Sequence, residues 1–235
     1  MGKIAIVTDS NSGITQAQAE ELGVYVIPMP FYINEKMYLE GVTLTQEEFY
    51  EKLKKDEPIS TSQPSPADLC DLWDKLLRDY EEIVHIPMSS GLSASCSTAM
   101  GLAIDYNGRV QVVDNQRISV TQRQSVMDAK MLAEAGKSAA EITAALEEVR
   151  PKVRASFVVD TLMYLYRGGR CNAVAAMAGS VLKLHPKIVV ENGAMDAAKK
   201  YRGKLHSVVM SYVRDMEADL KNARPERVFI THSGC

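Results

Sequence analysis

The sequence predicts an α/β fold, with a parallel-sheet, three-layer N-terminal domain over residues 1–152 and a smaller α/β domain over residues 153–235. Three observations carry this. Short apolar runs alternate with amphipathic stretches of helical spacing, the pattern of a mostly parallel sheet covered by helices on both faces. Several of those runs end in a polar loop directly before a helix. Near Pro151 the character changes, and extended runs follow one another across an Asn-Gly turn.

The elements follow in order. Lys3–Val7 is a short apolar strand, Thr15–Leu22 is helical, and Val24–Pro28 is a second strand. Phe49, Tyr50 and Leu53 stand at helical spacing within Thr45–Leu53. Ser65 before Pro66 is a helix start, because the hydroxyl caps free amides and proline suits the first turn. Leu69, Leu72, Trp73, Leu76, Leu77 and Tyr80 then form one apolar stripe. Ile83–Pro87 and Val110–Asp114 are further strands, and a helix is expected over Ala94–Ile104.

In the second half Ala155–Val159 reads as a strand, followed by the basic turn Arg167-Gly168-Gly169-Arg170 and an Ala- and Gly-rich helix over Asn172–Leu184. Ile188–Val190, the turn Glu191-Asn192-Gly193 and an extended run near Leu205–Val209 suggest an antiparallel meander. Val228–Ile230 reads as a last strand, leading into Thr231-His232-Ser233-Gly234-Cys235. A strand ending in a polar loop with no element after it suggests a C-terminally truncated domain.

Composition excludes several functions. The net charge of −3 does not provide the basic footprint of general nucleic-acid binding. No apolar run approaches the ~20 residues of a membrane span. The N-terminus reads as a strand rather than a secretory signal, and Cys70, Cys96, Cys171 and Cys235 are dispersed without a CxxC pair. Buried thiols in a cytoplasmic protein are the expectation. Histidines and cysteines form no metal constellation, and no cofactor is expected.

Candidate chemistry collects in loops at strand ends, the usual crevice of open α/β sheets. These are Thr8-Asp9-Ser10-Asn11-Ser12-Gly13, Met88-Ser89-Ser90-Gly91-Leu92-Ser93 and Asp114-Asn115-Gln116, with Ser60-Thr61-Ser62-Gln63-Pro64-Ser65 as another hydroxyl-rich stretch before a helix. Helix N-termini attract anions, and Ser and Thr hydroxyls add donors to a carboxylate. These loops contain neither Arg nor Lys, so a singly charged head group suits them better than a polyphosphate. Asp9 reads as an acceptor that orders the first loop, and His85, inside a strand, as a satisfied structural histidine. His206 lies near an extended run, and His232 is a weaker site candidate beyond a strand. Gly91-Leu92-Ser93-Ala94-Ser95 also resembles a nucleophile elbow, which makes a serine esterase or lipase-like hydrolase using Ser93 the alternative reading. Arg167, Arg170, Lys183, Lys187, Lys199, Lys200, Arg202 and Lys204 concentrate in the second half, as a docking face or a solvated one.

Taken together, Ile6–Ser10, Thr61–Ser65, Ile86–Ser93, Val112–Asp114, Leu165–Arg170 and Lys199–Gly203 form an ordered set of motifs. In these the chain resembles the DegV family, which includes the fatty-acid-binding subunits of bacterial fatty acid kinase. The resemblance implies a two-domain α/β fold with one long-chain fatty acid, such as palmitate, between the domains. It implies that Thr61 and Ser93 hold the carboxylate, with Ser10, Ser62 and Gly91 beside them. It further implies no catalysis by the chain itself, and presentation of the bound acid to a separate kinase that forms an acyl phosphate. Arg170 and Arg202 are the expected residues for docking or phosphate contact. Ala94 and Ser95 stand where the family usually has Gly and Thr, and the family's sequence continues past the position of Cys235.

Overall fold

The structure, a computed structural model, describes residues 3–170 and 184–232. The chain divides into two compact units, Met1–Val153 and Arg154–Cys235. The strands of the first unit are β1 (Ile4–Asp9), β2 (Tyr25–Ile27), β3 (Pro30–Ile33), β4 (Lys36–Leu39), β5 (Ile59–Thr61), β6 (Glu82–Ile86) and β7 (Val110–Val112). Its helices are α1 (Gln16–Leu22), α2 (Gln46–Lys54), α3 (Pro66–Leu76), α4 (Ser95–Ala103), α5 (Val120–Glu134) and α6 (Ala139–Val149).

A parallel sheet in the order β2-β1-β6-β7 is the centre of this unit. Side chains alternate across a strand, so each strand feeds two cores. Ile6, Val84 and Ile86 pack with Ala19 of α1, Val126 and Ala129 of α5, and Ile142 and Leu146 of α6. On the other face Ala5, Val7 and Ile83 meet Leu69, Trp73 and Leu76 of α3 and Ala99 of α4. This is the three-layer arrangement, and it explains why β1 reads as a nearly continuous apolar run rather than an alternating one. The stripe on α3 is buried as its spacing requires, and Ser65 caps that helix by accepting from the Asp68 amide at 3.0 Å.

Helix starts are well specified. Thr15 with Gln18, Thr45 with Glu48 and Ser138 with Glu141 each form a reciprocal capping box. A second, antiparallel sheet in the order β4-β3-β5 went unpredicted. Its hairpin turns at Asn34 and Glu35, both with positive φ (49° and 66°), the conformation of a two-residue primed turn. Glutamate seldom takes that conformation, so no turn signal stood in the sequence. Thr61 is therefore the last residue of a paired strand, opposite Phe31, rather than part of a free loop.

The second unit contains β8 (Ala155–Phe157), α7 (Met163–Gly168), β9 (Leu184–Glu191), β10 (Ala194–Arg202) and α8 (Leu205–Leu220). The antiparallel sheet runs β10-β9-β8, and the β9–β10 hairpin turns at Asn192-Gly193 as predicted. One face buries Ile188 against Phe157, Leu162, Leu165, Leu184, Met195 and Ala197. The opposite face is bonded to α8: Tyr212 donates to the Ser156 carbonyl at 2.8 Å, and Lys199 and Tyr201 donate to Asp215 at 2.6 and 2.5 Å.

Several expectations require correction here. Leu205–Val209 is the first turn and more of a helix, not an extended run, and His206 is an exposed helical residue. Val228–Ile230 pairs with no strand among the described residues, and Ile230 is 93% exposed. The basic turn is shorter than read. Arg167 and Gly168 end α7, and only Gly169, with φ 66°, takes the left-handed conformation that stops it. Most of the helix expected at Asn172–Leu184, with Lys183, Cys171 and the terminal Ser233, Gly234 and Cys235, lies outside the described residues. Leu184 itself opens β9.

One consequence is measurable with the single tryptophan, Trp73, which is fully buried and so reports on unfolding of the first unit. Ser138→Ala removes an N-cap and half of a capping box. It should lower the stability of that unit by about 1 kcal/mol in denaturant titrations followed by Trp73 emission.

Candidate ligand-binding site

The polar loops at the carboxyl ends of β1, β6 and β7 are bonded into one structure. Asp9, the last residue of β1, is 1% exposed and accepts from four donors. Oδ2 takes the Met88 amide at 2.7 Å. Oδ1 takes the Asn11 amide at 3.0 Å, Asn11 Nδ2 at 3.1 Å and Gln122 Nε2 at 3.1 Å. Burial raises the Asp9 pKa while these bonds oppose the rise. Asp9 thus orders its own loop, as expected, and also draws in the loop after β6 and helix α5.

Asp114 performs the same service at the next edge. Its Oδ1 accepts from the Ser90 amide at 3.2 Å, and its Oδ2 accepts from the Ser90 hydroxyl at 2.5 Å. Ser89 N donates to the Arg117 carbonyl at 2.9 Å, and Ser119 N to the Asn11 carbonyl at 2.8 Å. The segment after β5 joins through Thr98 of α4, whose hydroxyl donates to Gln63 Oε1 at 3.2 Å. Gln63 and Pro64 line one small cavity with Asp9, His85, Pro87, Ser95 and Thr98, so the segment after β5 meets the end of β6 and the first turn of α4 there.

The hydroxyl protons of these segments are not equivalent. Ser10 donates to Glu40 Oε2 at 2.5 Å and accepts from the Met29 amide at 3.0 Å, so its proton is committed inside the protein. Ser62 donates to the Gln63 carbonyl at 3.2 Å, and Ser12 to the Asp9 carbonyl at 2.8 Å. Ser93 differs. Its Oγ accepts from the Ser95 amide at 3.1 Å, which leaves its own proton for an outside acceptor. Among the described residues Ser93 and Thr61 donate to no protein acceptor, and both reach solvent, Thr61 the more so. Gly91 is exposed in the same loop. Helix α4 has Ala94 at its N-cap and no side-chain cap from it, and the amide of its first residue, Ser95, donates to Ser93 Oγ.

Burial pushes the Cys96 thiol up to about 12, aided by Asp114 and Asp9, which makes it an inert core residue. Glu40 is raised by desolvation of its carboxyl and by the nearby Asp9 charge. Among the described residues no group of three or more His, Cys, Asp or Glu side chains is placed to hold a metal ion. No helix among them is long and apolar enough to cross a membrane.

The elbow geometry of a serine hydrolase is not formed. Such an elbow puts the serine on the sharp turn between strand and helix. Here the whole stretch Pro87–Leu92 separates the end of β6 from Ser93, and the Ser93 hydroxyl bonds the Ser95 amide rather than a histidine. His85, the one histidine of the first unit, lies inside β6 at 2% exposure. It corrects the sequence reading in a different way. Among the described residues neither ring nitrogen has a hydrogen-bond partner, so it is buried without being satisfied by them. Trp73 lies edge-on to its ring at 5.5 Å.

In the second unit Arg202 stands opposite Leu184 and Lys200 opposite Pro186. They share the sheet face on which Leu162 and Leu165 pack. Arg170 follows the end of α7 and donates to the Gly168 carbonyl. Lys187 and Lys199 are different. They occupy the other face and pair with Asp219 and Asp215 of α8.

A parallel three-layer unit thus carries hydroxyl-bearing loops at its carboxyl edge and is followed by a smaller antiparallel α/β unit. The chain belongs to the DegV family, whose description reads "Uncharacterised protein, DegV family" and which it matches over residues 3–235. It is 31% identical to a DegV domain-containing protein of Caldanaerobacter subterraneus, over 93% of this chain and 79% of that protein. Among solved structures it is similar to a fatty-acid-binding DegV family protein of Thermus thermophilus, with TM-score 0.84 and 31% identity, covering 94% of this chain and 79% of that one. It is likewise similar to DegV of Bacillus subtilis, a fatty acid binding protein, with TM-score 0.81, 31% identity and the same coverage.

His85 gives this unit a pH dependence. Burial pushes its pKa from 6.5 down to about 3. Between those values the unfolded chain binds a proton that the folded chain refuses, so stability falls as pH drops from about 6.5 toward 3. Asp9, with its raised pKa, acts in the opposite sense just above its unfolded value of 3.8. The unfolding free energy should therefore decline with acidification below pH ~6.5, and the slope should be shallower in His85→Leu.

Proposed function

We propose that this protein binds a single long-chain fatty acid and holds its carboxylate with the hydroxyls of Thr61 and Ser93. One observation carries the reading. Of the four hydroxyls that the resemblance singles out, Ser10 and Ser62 donate to protein acceptors, whereas Thr61 and Ser93 donate their protons to none among the described residues. A carboxylate accepts such protons, and the uncapped start of α4 adds backbone donors of the favoured sign. The fatty-acid-binding proteins of Thermus thermophilus and Bacillus subtilis with the same fold support the ligand class. An acyl chain of ~16 carbons gains roughly 10 kcal/mol on burial before association costs, so a few donors suffice for the head.

Fatty acid extracted from the purified protein after denaturation is the first readout, and mass spectrometry should find about one long-chain acid per chain. Thr61→Val and Ser93→Ala should each weaken affinity about tenfold or more, the worth of a hydrogen bond to a charged group. Ser10→Ala and Ser62→Ala should weaken it less. A protein that neither carries nor takes up fatty acid excludes the reading. Covalent labelling of Ser93 by a fluorophosphonate would instead restore the esterase alternative.

The second step of the proposal is that the bound acid serves a separate kinase, which transfers the γ-phosphoryl group of ATP to a carboxylate oxygen and releases ADP. Arg170 and Arg202 are the residues proposed to meet that partner or its phosphates. In support, Arg202 and Lys200 share the sheet face on which the Leu162 and Leu165 side chains pack, and among the described residues neither has an acidic partner of the kind that Lys187 and Lys199 have. Charge reversal, Arg202→Glu, should leave fatty acid binding unchanged while abolishing acyl phosphate formation by a fatty acid kinase catalytic subunit. Unchanged phosphorylation would refute the role of Arg202.

A further inference from the structure

The small cavity between Gln63, the end of β6 and the first turn of α4 has a composition that the fatty-acid reading does not use. It measures about 10 Å³, room for one water molecule, and its polar lining comes from Asp9, Gln63, His85, Ser95 and Thr98. Two of these side chains are more than nine-tenths buried and have no hydrogen-bond partner among the described residues. His85 is 2% exposed with both ring nitrogens unpaired, and Ser95 is 8% exposed with its Oγ unpaired. They come from different elements, His85 from β6 and Ser95 from the first position of α4. The other lining groups are already bonded. Thr98 donates to Gln63, and Asp9 holds its four donors.

The chemistry of the two unpaired groups is complementary to water. Burial keeps His85 neutral, and a neutral imidazole offers one N–H donor and one acceptor nitrogen. A serine hydroxyl donates once and accepts twice. A buried cavity of this size stays wet when it offers a water two to four polar partners, and an apolar one stays dry. Here two are unclaimed by the protein, and the Gln63 amide or the second lone pair of Asp9 Oδ2 can supply a third.

We propose that this cavity is a built site for one water molecule, bonded by His85 and Ser95, which fixes the first turn of α4 and through it the orientation of the Ser93 hydroxyl. The link to Ser93 is direct. The Ser95 amide donates to Ser93 Oγ, so the placement of Ser95 decides that Ser93 accepts within the protein and donates outward. His85 and Ser95 are positioning residues here, since neither is required to touch the ligand. The part concerning Ser93 rests on the fatty-acid reading, whereas the water site itself does not.

A high-resolution crystal structure of the whole chain should show one water within hydrogen-bond distance of a His85 ring nitrogen and Ser95 Oγ. A dry cavity overturns the proposal. In solution, the imidazole ¹⁵N signals of His85 should report a hydrogen-bonded neutral ring and should shift in Ser95→Ala; signals unmoved by that change count against the bridge. Fatty acid affinity then tests the positioning. Ser95→Ala should weaken binding severalfold in the native background and have little further effect in Ser93→Ala, and additive losses would show that Ser95 does not act through Ser93. If the native protein binds no fatty acid at all, the functional reading fails, while the crystal and the ¹⁵N signals still decide the water site.

Discussion

A single carboxylate organises the carboxyl edge of the parallel sheet. Asp9 lies at the end of β1, almost without solvent, and a buried charge in that position is tolerable only when donors surround it. The four donors arrive from its own loop, from the backbone just past β6 and from α5. Gln122 extends the same network, since its Nε2 also reaches Thr8 Oγ1 at 3.0 Å and the Ile86 carbonyl at 3.2 Å. The backbone after β6 cannot move without uncovering that charge. The loop carrying Ser93 is thereby anchored at Met88, and Asp114 anchors it again at Ser90.

With the loops pinned, an accounting of protons distinguishes structure from function. A serine whose proton is taken by Glu40 or by a carbonyl holds the loops together and has nothing left for a ligand. Thr61 and Ser93 are alike in sequence to those neighbours, but the register of β5 and the amide of Ser95 leave their protons unspent. The same accounting in the second unit assigns Lys187 and Lys199 to ion pairs with α8 and leaves Lys200 and Arg202 on the other face. What had looked like one basic cluster in the sequence is divided by the pleat of β10.

Much of the fold was legible because it follows from local rules. Apolar runs with polar ends marked β1, β6 and β7, Ser65-Pro66 marked the start of α3, and Asn192-Gly193 marked a hairpin. Where the reading failed, the local signal was weak or pointed elsewhere. The Asn34-Glu35 turn lacks the glycine that announces such turns. Leu205–Val209 contains adjacent valines that suit a strand. It becomes helical because Val208, Tyr212, Asp215 and Asp219 align on one face and bond the sheet, which is evident only over the whole of α8. Val228–Ile230 has the residues of a strand, and in this structure it has no pairing partner among the described residues.

The sequence by itself determined the class of fold and the family. These depend on hydrophobic period, capping residues and an ordered set of short motifs, all written along the chain. Only the tertiary structure decided which hydroxyls are free, since that depends on the acceptors brought near by distant segments, such as Glu40 beside Ser10. It also decided the state of His85. In the sequence that residue is a histidine inside a strand, and nothing local says whether its nitrogens find partners. Packing against Trp73 and the start of α4 encloses it with Ser95 around a space the size of one water. Burial is a property of what surrounds a residue, and only the folded chain supplies the surroundings.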